Sequence, residues 1–263
     1  MCPAASPLSE SVRLRSRSLG QTLSDIPGFD VVPLGDTALV IRVGREIDEP
    51  TRQRVLDVVR ALESVCLPGG ADVVPGFTTV TVHYDPTGID GHDTVGATAY
   101  DVVRSRIVTA LAAPIKRGAT TGRVIEIPGC YGGEFGPDLE VVASHAGLSM
   151  GDVVERHAGA EYRVCLLGFL PGFPYLGGLD PQLATPRRDT PRTVVPAGSI
   201  GIGGKQTGIY PLESPGGWQL IGRTPAVLFD PLRTPPTLVV PGDRLRFRSI
   251  DRNEYDRLRR MPG

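Results

Sequence analysis

The side chains with the most chemistry to offer lie between residues 130 and 223. Two of them could carry a catalytic step. His157 could act as a general base, since imidazole is the side chain whose ordinary pKa lies closest to neutrality. Its alternative is structural, holding a loop by hydrogen bonding. Cys130 opens the glycine-rich run Cys130-Tyr131-Gly132-Gly133 and could act as a nucleophile, whereas Cys165 stands in an apolar strand and reads as an inert thiol. A second group could bind a ligand. Arg187 and Arg192, with Arg188 between them, offer guanidinium forks to a carboxylate or phosphate. Gln206 and Thr207 offer neutral hydrogen bonds, and Tyr210 and Trp218 offer apolar walls with a polar tip. Gly216 and Gly217 would let a backbone approach a ligand closely. A small planar amide acid needs a cation for its carboxylate and paired donors and acceptors for its amide, and this set could supply both. Taken singly, each residue has a bland alternative: arginines capping loop carbonyls, aromatics filling a core. Taken together, the stretch is expected to form a site.

Two tempting motifs fail. Ser199 to Lys205 (SIGIGGK) ends in Gly-Lys, but Ser stands where a phosphate loop needs its first glycine, Gln206 replaces the Ser or Thr, and no helix is expected after it. Ala197-Gly198-Ser199-Ile200-Gly201 lacks the first glycine of a nucleophile elbow, so Ser199 is a weak candidate. No nucleotide site is placed on the chain by motif.

The elements that position these residues follow from composition and period. Gly168 to Arg223 is too rich in Gly and Pro for a long helix, yet it carries Phe169, Phe173, Tyr175, Tyr210 and Trp218. Short strands joined by tight, ordered loops are expected. The many short strands after residue 122 favour a closed or nearly closed β-barrel. Upstream, Val31-Val32 and Ala38 to Val43 read as strands around a Gly35-Asp36 turn. Val55, Val58, Val59 and Leu62 mark one helical face, and Val80, Val82 and Tyr84 alternate as in a half-buried strand. A second helix carries Val95, Ala99, Val102, Val103, Ala110 and Leu111 on one side. Two strands, a helix, two strands and a helix predict helices on one face of an antiparallel sheet. His83 and His92 read as surface histidines. The class is α+β: a mobile tail over 1–28, a small α/β sandwich domain over 29–115, a barrel domain over 122–250 and a charged C-terminal segment over 251–263. Within the barrel, Ala226 to Phe229 and Leu238-Val239 read as brief strands, and Arg244, Arg246 and Arg248 as the wet side of an edge strand.

The formal net charge of −1 provides no field for nucleic acid or an anionic membrane. All basic residues but Lys116 and Lys205 are arginine, which we attribute to GC-rich coding rather than to phosphate binding. Cys2, Cys66, Cys130 and Cys165 form no CxxC pair, so no metal site and free thiols are expected. No signal-peptide pattern or membrane span is read, and a cytoplasmic location is expected.

Several runs also carry a resemblance. They are Gly168-Phe169, Pro171-Gly172-Phe173-Pro174-Tyr175-Leu176, Pro186-Arg187, Pro191-Arg192, Pro196-Ala197-Gly198-Ser199, Gln206 to Pro211 and Ser214-Pro215-Gly216-Gly217-Trp218. Upstream, Cys130 to Gly133, Gly136-Pro137-Asp138-Leu139 and His157 fit as well. In this order they resemble the allophanate hydrolase subunit 1 family, which includes KipI-type kinase inhibitors, from roughly Asp30 to Phe247. The resemblance implies a cyclophilin-like barrel after a separate α/β domain. It implies membership of an ATP-dependent 5-oxoprolinase that opens 5-oxo-L-proline to L-glutamate. ATP is then used through the complex, with a C subunit of the allophanate hydrolase subunit 2 type and an A subunit of the lactam-utilisation type. The alternatives are an inhibitor of a sensor histidine kinase and a carboxyltransferase-type subunit of a urea-amidolyase-like enzyme.

Overall fold

The computed structural model describes residues 29–89, 97–113 and 122–261. The expectations for the tail over 1–28, Cys2, His92, Val95 and Lys116 lie outside the described residues. The chain divides into two compact units, Met1–Gly118 and Ala119–Gly263.

In the first unit, strands β1 (Asp30–Pro33) and β2 (Ala38–Arg42) pair antiparallel around Gly35, whose φ of 67° suits glycine. Helix α1 (Glu49–Glu63) starts where the Asp48 side chain accepts from the Thr51 amide, with Pro50 in its first turn. Strands β3 (Asp72–Pro75) and β4 (Thr79–His83) follow, then helix α2 (Ala99–Ala112), capped by a reciprocal Thr98–Asp101 box. The sheet order is β1-β2-β4-β3, antiparallel throughout. Leu39, Ile41, Val80 and Val82 share one core with Val55, Val58, Val103 and Ile107 from the helices. The alternation of the strands and the helical stripe thus find each other as the pattern requires.

The second unit holds β5 (Val124–Tyr131), α3 (Leu139–Ala146), α4 (Met150–Gly159), β6 (Glu161–Leu167), β7 (Pro174–Gly177) and β8 (Arg192–Val195). Then come β9 (Ser199–Gly203), β10 (Gln206–Ile209), β11 (Ser214–Gly216), β12 (Gln219–Arg223), β13 (Arg244–Ser249) and α5 (Arg252–Arg259). Seven strands close a barrel in the order β10-β7-β6-β13-β5-β12-β9, while β8 and β11 form a separate two-stranded sheet. Closure removes the unpaired edges that an open sheet exposes. Ile127, Tyr162, Val164, Ile200, Ile221 and Phe247 belong to the core of this unit.

Two expectations are corrected here, and the C-terminal one is made specific. β13 is not an edge strand: it lies parallel to β5 on one side and antiparallel to β6 on the other. Its arginines pair with acids on the neighbouring elements, Arg244 and Arg246 with Glu161, and Arg248 with Glu126 and Glu254. Residues 226–229 and 238–239 form no strands, only an isolated Phe229–Thr237 bridge. The charged C-terminal segment is helix α5, capped by Asp251, and its Tyr255 packs against Phe135 with ring centroids 4.5 Å apart.

Glycines in the barrel strands make room for rings. A Cβ on Gly203 would lie 2.6 Å from the Trp218 indole, which is rigid and buried. Gly159, at the end of α4, has nothing near its missing Cβ. We expect Gly203→Ala to cost about 1–3 kcal/mol through overpacking, and Gly159→Ala to be neutral or to add about 0.5–1 kcal/mol. Urea unfolding midpoints of the two variants check this ordering.

Candidate functional site

The loop before β7, β7 itself, the end of β8 and the segments flanking β10 to β12 build an aromatic cluster. Phe173, Val195, Tyr210, Trp218 and Leu220 are buried together, with Tyr175 half-buried beside them. The rings meet edge to face: Phe173 lies 5.1 Å from Tyr210 and 5.5 Å from Trp218, both near perpendicular. The Arg187 guanidinium sits over the Trp218 ring, 5.8 Å from its centroid, with its side chain exposed.

Next to this cluster a buried carboxylate gathers two arginines. Asp138, at the start of α3, is 3% exposed. Its Oδ1 accepts from Arg192 Nη2 at 2.7 Å and Arg188 Nη1 at 3.2 Å, and its Oδ2 accepts from the Leu220 amide at 2.7 Å. The Asp138 amide in turn donates to the Leu220 carbonyl. Two cations around one anion leave a net positive charge. Three buried polar atoms here have no hydrogen-bond partner among the described residues: Arg192 Nη1, Arg188 Nε and Gln219 Oε1. Gln219 Nε2 donates to the Pro186 carbonyl, and the Arg188 amide donates to the Gly217 carbonyl, which ties the arginine loop to the start of β12. Buried donors and acceptors without partners are uncommon and call for a ligand, a water or an ion.

The remaining sequence candidates lie elsewhere. His157 is fully buried at the end of α4. Its Nδ1 is 2.9 Å from the Tyr131 hydroxyl and its Nε2 is 3.0 Å from Thr207 Oγ1, while Thr207 Oγ1 lies 2.9 Å from the Gly201 carbonyl. One proton assignment satisfies every atom. The Gly201 carbonyl can only accept, so Thr207 donates to it; His157 Nε2–H donates to Thr207, and Tyr131 O–H donates to Nδ1. Burial lowers the His157 pKa to about 3, so the ring is neutral. His157 therefore braces the barrel interior and is out of a substrate's reach, which corrects its reading as a general base. Thr207 is corrected with it, because its hydroxyl is spent in this chain of bonds. Cys130 is buried with Phe135, Ile250 and Tyr255, and burial pushes its thiol pKa up, the reverse of what a nucleophile needs. Gln206 is half-buried at the start of β10 opposite Gly203, with no side-chain hydrogen bond to the arginines or rings among the described residues. Gly216 makes room for the Tyr210 hydroxyl rather than for a ligand. Of the candidates, Arg187, Arg192, Tyr210 and Trp218 come together. Asp138 and Gln219 were missed; Asp138 stood in a noted motif, but nothing in its neighbours announces a pairing 54 residues away.

Residues 29–239 match the family model described as "Carboxyltransferase domain, subdomain C and D". The chain belongs to this carboxyltransferase-domain family. Its relatives include proteins named as the B subunit of 5-oxoprolinase in Bacillus subtilis and in Escherichia coli O157:H7. The first is 43% identical over 228 residues, 86% of this chain and 95% of the relative. The second is 44% identical over 214 residues, 81% of this chain and 93% of the relative. The crystal structure of TTHA0988 superposes with a TM-score of 0.68 at 38% identity, covering 81% of this chain and 40% of that one.

As a carboxyltransferase-domain chain, the protein shows no phosphate loop in the place the sequence offered one. Ser199–Gly203 is strand β9, with backbone paired to β10 and β12, and Gly204-Lys205 form the turn of a hairpin. These residues do not fit a nucleotide. Among the described residues no helix is long and apolar enough to cross a membrane, and no cluster of ligating side chains suits a metal ion. Cys66, Cys130 and Cys165 are in no disulfide.

The neutral His157 has a consequence for acid stability. An unfolded histidine titrates near 6.5 and this one near 3, so between those values the unfolded chain binds a proton that the native one refuses. Unfolding free energy should fall as pH drops through this window, by up to about 1.4 kcal/mol per pH unit from this group. Urea titrations from pH 7 to 4 should show a shallower slope, by roughly one proton, in His157→Gln; equal slopes would contradict the assignment.

Proposed function

We propose that this chain works as a subunit of an ATP-dependent 5-oxoprolinase, which opens 5-oxo-L-proline to L-glutamate. One observation carries the reading: relatives named as the B subunit of 5-oxoprolinase match almost from end to end. The geometry favours the same substrate class. The Asp138 hub leaves an excess cation, a spare donor on Arg192 and a spare acceptor on Gln219 beside the aromatic cluster. A lactam acid presents a carboxylate, a carbonyl and a ring N–H on a small flat body. Arg192 Nη1 would donate to its carboxylate and Gln219 Oε1 would accept from its N–H. In the reaction the ring C–N bond breaks, water supplies oxygen to the acyl carbon, and the nitrogen leaves as the free amine. An amide resists this attack unassisted, which is the chemical reason for coupling to ATP. Since the loop tested on this chain does not fit a nucleotide, ATP is assigned to the partners: a C subunit of the allophanate hydrolase subunit 2 type and an A subunit of the lactam-utilisation type. The assembly is assigned to the cytoplasm, where substrate and ATP meet.

Glutamate release from 5-oxo-L-proline and ATP should require all three subunits, with none from this chain alone. In that assembly Arg192→Lys should keep the ion pair to Asp138 but lose the fork, raising KM about tenfold with a smaller change in kcat. Unchanged KM would remove Arg192 from the site, and no glutamate from the complete mixture of folded subunits would remove the reading itself.

A further inference from the structure

The β8–β11 sheet stands apart from the barrel. Each strand pairs only with the other among the described residues, and a lone two-stranded sheet is marginal in water. In a strand that lies on a core, alternate residues are hidden. In β8 the consecutive residues Thr193 and Val194 are both exposed, Val194 by 52%, while Val195 reaches the aromatic cluster. Both faces at this point and the outer edge of β8 are therefore bare of this unit's other elements.

A second feature lies against the same cluster. Phe169 is the only non-glycine among the described residues with a positive φ, at 70°. That region is costly for a bulky side chain, and such strain persists where something is gained from it. Folding of this chain gains little: Phe169 is 62% exposed, and its ring meets those of Phe173 and Tyr210 only edge to face, with centroids 5.7 and 6.4 Å away. The backbone holds an aromatic ring out to solvent, in the way buried anchors of interfaces are presented. Leu212, two residues beyond Tyr210, is exposed as well. Charge selects the visitor. Arg187 is exposed over Trp218 and has no carboxylate partner among the described residues, unlike Arg188 and Arg192, which share Asp138.

We propose that this face receives an extended segment of a partner subunit, added as a third strand beside β8. An apolar side chain of that segment packs on Phe169, and a carboxylate side chain meets Arg187. Strand addition supplies backbone hydrogen bonds while flanking pockets select side chains. The inference rests on the multi-subunit reading above. It also gives that reading a surface: the visitor would lie next to the Asp138 hub and shield it from water.

The test measures assembly of the purified full-length chain with the A and C subunits, using sedimentation velocity and immobilised-partner binding. Phe169→Asn suits the left-handed backbone but removes the ring, so it should fold with unchanged circular dichroism and lose about tenfold or more in affinity. Val194→Asp should weaken binding more than Val194→Lys if the incoming segment is acidic, and Arg187→Glu more than Arg187→Ala. Val141→Asp, exposed on α3, should leave affinity unchanged. A wild-type complex that Phe169→Asn and Val194→Asp leave intact would overturn the docking face while sparing the subunit reading. No complex with the wild-type chain would overturn both. Self-association of the wild-type chain that Phe169→Asn abolishes would assign the face to a second copy and overturn the partner segment.

Discussion

A single buried carboxylate organises the second unit's candidate site. Removing Asp138 from water is unfavourable unless its oxygens are fully engaged, and they are engaged by three donors. The Leu220 amide fixes β12 to the start of α3, and Arg188 and Arg192 fix the loop before β8. Because Arg188 and Arg192 are both held, Arg187 next in the chain is set over Trp218, and β8 leaves the hub on the outside of the barrel. The aromatic wall, the spare polar atoms and the bare sheet all depend on that anchor.

Glycine and aromatic residues solve one packing problem together. Trp218 lies where Gly203 has no side chain, Phe173 where Gly208 has none, and Tyr210 where Gly216 has none. These rings form a cluster separate from the barrel core, and rings of this size fit against a strand only where it is stripped to backbone. The high glycine content is thus partly a property of strands. His157 serves a comparable end among polar groups: the line Tyr131–His157–Thr207–Gly201 joins β5, α4, β10 and β9 with every donor and acceptor matched.

A unit whose candidate site lies beside a bare two-stranded sheet is suited to work as one part of something larger. The fold occurs as a two-fifths share of the longer TTHA0988 chain. The arrangement also explains why the chain combines an inert interior with an unusual exterior. The groups with the most reactive side chains, His157 and Cys130, are locked in cores, whereas Arg187 and Phe169 face outward.

The sequence by itself determined what is local. The Val55–Leu62 stripe became α1, the Val80–Val82 alternation became β4, and Ser149 with Asp152 formed the cap of α4, because period and capping act over a few residues. It also indicated the barrel, through short strands punctuated by glycine and proline, and it gathered Arg187, Arg192, Tyr210 and Trp218 into one expected site. Only the tertiary structure decided which polar groups are spent on the fold. Thr207 and His157 look available in sequence, yet they meet 50 residues apart and satisfy each other. Arg244 to Arg248 read as an edge, yet strand order puts β13 between β5 and β6. Asp138 reads as an ordinary helix start, yet closure of the barrel buries it against two arginines. Burial and long-range pairing depend on the order in which strands join, and no local pattern encodes that order.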